Sequence, residues 1–430
     1  MARGLFMGAK GTDVSRNVGI DAMAFHGPHC YLEMADLANV RGVDPNKYIH
    51  GLGQRQMAVA TPCEDTVTMA TVAAYRALKR FDIDPGEIGT LIVGTETGVD
   101  HSKPVAVYVH DMLGLAPNCR TFETKHACYG AMAGLTSAMD WISAGRARGR
   151  KALIVASDIA RYGLKTAGEP TQGAGAVAMI VGEKPRLLQL DPDTFGDYTR
   201  QVMDFWRPLY SKYAFADGHY SIDCYLDAFT GAWGDACENA GTWDRLRLDQ
   251  LAACFYHVPF VKMARKAHHR HCETEWGDTV TGDDEKMVQL KASYDRQVAP
   301  WLELNSVIGN IYTGSMFLSL MDYLRKAEPA GGERLSLFSY GSGCGAAFGT
   351  GVVTDSATRY AANIDPAEHL ARRKRLDIER YEQLITASET ADHNEAPYPD
   401  PADWDLGPGL YFVGTRNHIR EYTGSASDTL

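Results

Sequence analysis

Apolar residues recur along the first 180 positions in two alternating rhythms. VGIDAMAFHGP (18–28) alternates and reads as a strand, and YLEMADLANVRG (31–42) reads as a short helix closed by Gly42. In PCEDTVTMATVAAYRALKRF (62–81) the apolar positions fall three and four apart, and Lys79 and Arg80 sit in the last turn. That pattern predicts a helix. EIGTLIVGTETG (87–98) is a short apolar run between a turn and a glycine, as in a buried strand. VAVYVHDMLGL (105–115) predicts a helix, and ACYGAMAGLTSAMDWISAG (127–145) a longer one ended by Gly145. KALIVASDIA (151–160) and GAVAMIVG (175–182) predict strands joined through the turn-rich PTQGAG (170–175). Apolar strands alternating with helices predict a layered α/β protein with helices on both faces.

The second half echoes the first. DQLAACFYHVPF (249–260) matches EIGTLIVGTETG in character, GNIYTGSMFLSLMDYL (309–324) the helix at Cys128, ERLSLFSYGSG (333–343) the strand KALIVASD, and AAFGTGVV (346–353) the strand GAVAMIVG. Cys128 and Asp158 lie 30 positions apart, and so do Asn310 and Tyr340. These echoes point to an internal duplication. The chain divides into an extension (1–17), a first half (18–183), a second half (184–355) and a tail (356–430). Within the second half, 202–221 reads as an aromatic-rich insertion and 221–241 as a helix. In the tail, helical stretches surround HLARRKRLDIERYEQLI, and YFVGTRNHIREY (411–422) reads as a final strand or hairpin.

Composition narrows the classes. The 430 residues are long enough for two subdomains or one large α/β unit, and 45% hydrophobic with 23% charged residues is ordinary for a globular protein. A net charge of −11 argues against a surface built to neutralise nucleic acid phosphates. Nine cysteines without a CxxC pair read as reduced thiols of a cytoplasmic protein. The first residues are too polar for a signal peptide, and no apolar run reaches the ~18 residues of a membrane span.

Under the duplication, equivalent elements of the two halves aim at one crevice. Cys128 opens the central helix of half one. The unpaired N–H groups of a helix N-terminus favour thiolate over thiol, and the small residues after it admit close approach by backbone or a thin ligand. A buried, inert thiol fits the same position. Glu96 follows the first buried strand. It reads either as a cap or as a carboxyl whose pKa rises in a dry crevice, which suits a general base. His257 follows the matching strand of half two, as a satisfied core histidine or as a donor to a substrate carbonyl. The Gly-rich FSYGSGCGAAF (338–348) offers backbone N–H groups for half of an oxyanion hole. KMARKAHHRHCETE (262–275) reads as a solvated basic helix face or as a grip on cofactor phosphates. Zinc binding through His268, His271 and Cys272 matches no closed four-ligand set.

Several motifs carry a family resemblance: GLGQRQMAV (51–59), PCEDTVTMA (62–70), GTETGVD (94–100), KHACYGAMAGL (125–135), SDIARYGLKTAGEPTQGAGAVAM (157–179), DFWRP (204–208), YHVPFVKM (256–263), GNIYTGS (309–315) and FSYGSG (338–343). The sequence resembles 3-hydroxy-3-methylglutaryl-CoA synthases of the thiolase superfamily over residues 18–355. The resemblance implies a duplicated five-layer α/β/α/β/α fold and a homodimer. It implies that Cys128 takes an acetyl group from acetyl-CoA, that Glu96 deprotonates the acetyl methyl, and that His257 polarises the ketone of acetoacetyl-CoA. Asn310 and Ser342 are implied to position the acceptor, Tyr340, Gly341 and Gly168 to complete the substrate-binding set, and Lys262 to meet CoA phosphates. No metal or redox cofactor is implied, because the CoA thioesters are substrates. KHACYGAMAGL and KAHHRHC also resemble a branch that installs β-methyl groups during polyketide synthesis with acyl carrier proteins as partners. DFWRP and NIYTG resemble the bacterial mevalonate-pathway enzymes.

Overall fold

The computed structural model describes residues 17–211, 213–277, 280, 282–390 and 398–429. All of the expected extension except Asn17 lies outside them. Nine strands build one sheet: β1 (Val18–His26), β2 (Ile88–Gly94), β3 (Arg120–Thr124), β4 (Lys151–Ala160), β5 (Gly173–Glu183), β6 (Leu188–Thr199), β7 (Ala253–Tyr256), β8 (Arg334–Gly341) and β9 (Gly345–Val353). Their order is β7-β8-β9-β6-β1-β5-β4-β2-β3.

That order is a mirror. On one side of the β1–β6 contact, β5 runs antiparallel to β1, β4 antiparallel to β5, and β2 parallel to β4. On the other side, β9 runs antiparallel to β6, β8 antiparallel to β9, and β7 parallel to β8. The two halves meet where Gly19 faces Gln189 and Ile20 faces Leu188. A side chain at Gly19 would stand 2.0 Å from the Leu188 carbonyl oxygen, so the junction closes only over glycine. Among the described residues the second half has no partner for β3. The chain there turns through the short helical segments Ala299–Trp301 and Glu303–Ile308 instead.

The helices expected from spacing form as α1 (Thr66–Arg80), α2 (Gly130–Ser143), α3 (Gly218–Ala240), α4 (Val261–Trp276) and α5 (Ser315–Lys326), with α6 (Ile378–Thr390) in the tail. Asp65 caps α1 in a reciprocal box with Thr68. The 411–422 segment is the hairpin of Tyr411–Arg416 and Ile419–Thr423.

One expectation needs correction, and two strands were not expected. The helix read over 31–42 begins only at Met34, because Cys30–Glu33 pairs as a strand with Gln56–Val59 and buries alternate residues. β3 was not anticipated, since RTFET lies at the sheet edge and carries little apolar signal. β6 was not anticipated either: it runs through Asp191, Pro192 and Asp193, and its register with β9 shifts there.

One apolar core spans both halves, a second lies under α3 and α4, and a third joins Leu32, Leu37 and Met57 to Tyr381, Leu384 and Ile385 of α6. The tail thus contributes a packed face to the first half. Among the described residues no helix is long and apolar enough to cross a membrane.

Candidate active site

Small residues decide where Cys128 lies. A side chain at Gly94, the last residue of β2, would stand 2.4 Å from the Ala131 amide nitrogen, and one at Gly130 would stand 2.8 Å from the Thr124 carbonyl oxygen. The start of α2 is therefore pressed onto the ends of β2 and β3. The second half reaches the same point, with Thr313 Oγ1 accepting from the Ala131 N–H at 2.7 Å. Cys128 does not open α2, as the sequence suggested. It stands ahead of the first helical residue, Gly130, after Ala127, which has a left-handed φ of 40°. Its side chain packs with Ala160, Tyr162, Phe205 and Tyr312.

Three carboxylates surround this thiol. Asp158, fully buried near the end of β4, accepts through Oδ1 from the Thr95 and Thr97 hydroxyls at 2.9 and 2.8 Å and from the Glu96 N–H at 2.9 Å. These bonds fix the 95–97 turn that presents Glu96. Burial pushes the Asp158 carboxyl up, and the neighbouring Glu96 adds to the shift. Burial pushes Glu96 up to about 7 against the opposing pull of the Arg207 guanidinium and a hydrogen bond with Tyr312. Arg207 also donates to the Glu96 carbonyl, while Glu96 Oε1 is buried with no hydrogen-bond partner. Asp204 accepts from the Tyr340 hydroxyl at 2.7 Å and from the Gly343 N–H at 2.9 Å.

The expectation of a stabilised thiolate is overturned. Burial, then Glu96, Asp158 and Asp204, push the Cys128 thiol well above its ordinary range. The neutral thiol is favoured because burial, reinforced by the neighbouring carboxyl groups, disfavours the charged form.

His257 follows β7. Its N–H donates to the Phe338 carbonyl at 2.8 Å, and its carbonyl accepts from the Tyr225 hydroxyl at 2.8 Å. Burial alone pushes the imidazole down to about 3, so it is neutral. Tyr225 in turn packs against Tyr340, with ring centroids 5.2 Å apart. Asn310 is buried. Its amide donates to the Tyr162 hydroxyl at 3.1 Å, and its Oδ1 accepts from the Tyr312 N–H and the Ser315 hydroxyl at 2.9 and 3.1 Å. Gly341 abuts the residues flanking Cys128: a side chain there would stand 2.5 Å from the His126 carbonyl oxygen. Ser342 lines a cavity of about 530 Å³ with Glu96, Ala127, Phe205 and Arg207. Gly168 lies behind Tyr162, where a side chain would stand 2.9 Å from its Cβ.

Lys262 is half-buried in the first turn of α4, after Val261, which packs into the space left by the missing side chain of Gly53. The solvated basic face expected of α4 is only partial. Arg265 and Lys266 are exposed, but His268, His271 and Cys272 are buried. Both imidazoles hydrogen-bond the Tyr256 hydroxyl through Nδ1, at 3.0 and 2.9 Å. The sequence reading missed Asp158, Asp204, Tyr162, Tyr312 and Arg207 as components of the site. Asp158 carried a signal, a carboxylate inside an otherwise apolar strand.

A thiol, a carboxyl pushed toward neutrality and a neutral imidazole at the ends of duplicated strands fit a carbon–carbon bond-forming acyltransferase of the thiolase-like fold. The chain matches the models for the N-terminal (residues 14–186) and C-terminal (188–284 and 273–424) regions of hydroxymethylglutaryl-coenzyme A synthase, and it belongs to that family. It is 38% identical over 379 residues to hydroxymethylglutaryl-CoA synthase of Enterococcus faecalis, covering 87% of this chain and 92% of the relative. It is 33% identical to the polyketide biosynthesis 3-hydroxy-3-methylglutaryl-ACP synthase PksG of Bacillus subtilis, covering 86% and 89%. Among solved structures it resembles MvaS in complex with 3-hydroxy-3-methylglutaryl coenzyme A (TM-score 0.87, 47% identity, 95% and 99% covered). It also resembles the curacin-pathway HMG synthase in complex with acetyl donor-ACP (TM-score 0.86, 32% identity, 95% and 99% covered).

Proposed function

We propose that this chain forms 3-hydroxy-3-methylglutaryl-CoA from acetyl-CoA and acetoacetyl-CoA, with Cys128 as nucleophile, Glu96 as base and His257 as acceptor-binding group. The observation that carries this reading is the placement of the Glu96 carboxyl, hydrogen-bonded to Tyr312, beside Cys128, which packs on the same Tyr312, with burial pushing the carboxyl up to about 7. Such a group is a carboxylate often enough to take a proton and basic enough to hold it.

The Cys128 sulfur attacks the acetyl thioester carbonyl, the bond to CoA breaks, and the proton lost by the thiol ends on the departing CoA sulfur. The oxyanion is met by the amides of Cys128 and Ser342, since the Gly343 N–H is engaged by Asp204. Glu96 then removes a proton from the acetyl methyl. The resulting carbon adds to the C3 ketone of the acceptor, whose oxygen is polarised by neutral His257. Water cleaves the Cys128 thioester and regenerates the thiol. Asn310, Ser342, Tyr340, Gly341 and Gly168 shape the acceptor space, and these steps need no metal or redox cofactor. Lys262, with exposed Arg265 and Lys266, meets the phosphates of the carrier.

CoA is the favoured carrier because the chain is more similar to MvaS, at 47% identity, than to the curacin enzyme, at 32%. The likeness to PksG supports the second reading, in which acyl carrier protein delivers both groups. The test compares kcat/KM for the acetoacetyl group on CoA and on acyl carrier protein. A preference for the protein-bound group would overturn the carrier assignment. We also infer a homodimer, for which the outer edge of β3, without a partner strand among the described residues, offers a pairing surface to a second copy.

A further inference from the structure

A continuous hydrogen-bonded line runs from the tail to the wall of the thiol pocket. Gln172 is buried between β4 and β5. Its Oε1 accepts from the Tyr162 N–H at 2.8 Å, and its Nε2 donates to the Tyr381 hydroxyl of α6 at 3.0 Å. That hydroxyl donates onward to Glu169 Oε1 at 3.2 Å. Arg41 holds Glu169 with two bonds of 2.9 and 2.8 Å and reaches Glu382 of α6 at 2.6 Å.

Donors and acceptors match at every step. The Gln172 amide orientation is fixed by its bond to the Tyr162 N–H, and that orientation fixes the direction of the Tyr381 proton. Tyr381, Gln172 and Glu169 are 0%, 4% and 1% exposed, so water does not substitute for a missing member. The segment they hold is the one that meets the second half at the site. The Thr171 carbonyl accepts from the Asn310 N–H, and the Tyr162 hydroxyl accepts from the Asn310 side chain. Tyr162 also packs on Cys128.

We propose that Tyr381 is a positioning residue for the acceptor step. Its hydroxyl, acting through Gln172, sets Tyr162 and Asn310 against Cys128, and the C-terminal helix thereby tunes condensation. This rests on the reading of Cys128 as the acetyl-bearing nucleophile. Loss of the hydroxyl in Tyr381→Phe leaves the Gln172 amide without its acceptor and removes one donor from Glu169, which keeps its bonds to Arg41. The 162–172 segment then relaxes where the acceptor binds, while the α2–β2 contact that places Cys128 is untouched.

The experiment measures the two half-reactions separately. With acetyl-CoA alone, labelling of Cys128 in Y381F should stay within about 2-fold of wild type. Addition of acetoacetyl-CoA should show condensation reduced about 10-fold or more, with a raised acceptor KM. Gln172→Met breaks the same line from its other end and should give the same split, which keeps the test open where Y381F folds poorly. Leu384→Ala loosens the docking of α6 through its apolar face, outside the hydrogen-bonded line, and should lower Tm with both half-reactions unchanged. Equal loss of both half-reactions in Y381F and Q172M, no loss in either, or the same split in L384A would overturn the proposal. Failure of the wild-type protein to label at Cys128 would instead overturn the underlying reading.

Discussion

Glu96 and His257 occupy equivalent places in the two halves, each just past a buried strand, β2 or β7, that runs parallel to its neighbour. Burial acts on both in the same sense, toward the uncharged form. The outcomes differ because the groups differ. The carboxyl rises to about 7 and stays within reach of ionisation, held there by Arg207 and Tyr312, while the imidazole falls to about 3 and is locked neutral. One fold unit, used twice, thus yields a group that exchanges a proton near neutrality and a group that only directs hydrogen bonds.

The comparison breaks first at the residue both groups serve. Cys128→Ala should abolish covalent labelling by acetyl-CoA and lower turnover by at least ~10⁴-fold, and labelling elsewhere on the chain would refute the nucleophile assignment. Glu96→Ala should leave Cys128 acetylation largely intact while condensation falls by ~10²–10⁴-fold. If acetylation vanishes as well, Glu96 serves the first step too. His257→Ala should raise the acceptor KM and slow condensation by ~10²-fold while sparing acetylation. Equal damage to both half-reactions would remove the distinction between the two strand ends.

The pH profile sharpens the contrast. Condensation should rise with pH through about 7 as Glu96 ionises, with no limb assignable to His257 above pH 5. In Glu96→Asp the limb should move while the His257 behaviour stays flat. A profile that falls as pH rises through 7 would make the protonated carboxyl the active form.

Much of this was legible in the chain because burial leaves a direct mark on sequence. The apolar runs at 88–94 and 253–256 are strands, and the polar residues just after them, Glu96 and His257, stood out against them. Gly94 and Gly130 were legible as small residues, and their packing role is now explicit: Gly94→Ala should cost ~1–3 kcal/mol in urea unfolding by driving α2 off β2. What stayed hidden depends on contacts distant in sequence. The Cys128 thiol is raised first by burial and then by Glu96, Asp158 and Asp204, which lie 32, 30 and 76 positions away. The link from Tyr381 to Tyr162 spans a half and the tail. β3 and β6 stayed hidden because an edge strand and a strand interrupted by Asp-Pro-Asp lack the apolar signal on which such readings depend.

The smallest expected effect is on stability, and there the two strand ends pull in opposite directions. Glu96 has a folded pKa of about 7 against an ordinary 4.5, so the folded state binds its proton more tightly. Its contribution is fully present below pH ~4.5 and is lost as pH rises through 7. His257 has a folded pKa of about 3 against an ordinary 6.5, so the unfolded state binds that proton more tightly. Its contribution is present above pH ~6.5 and is lost as pH falls toward 3. Between pH ~4.5 and 6.5 the slopes oppose, each reaching at most ~1.4 kcal/mol per pH unit, and wild-type stability should change little on their account. Glu96→Gln removes one slope, and its stability relative to wild type should improve as pH rises from 5 to 8. His257→Gln removes the other, and its relative stability should improve as pH falls from 7 to 5. Urea unfolding of the three proteins across that range reads both trends. Parallel curves for wild type and either variant would mean that the corresponding group titrates alike in the folded and unfolded chain, and the shared burial at the two strand ends would lose its meaning.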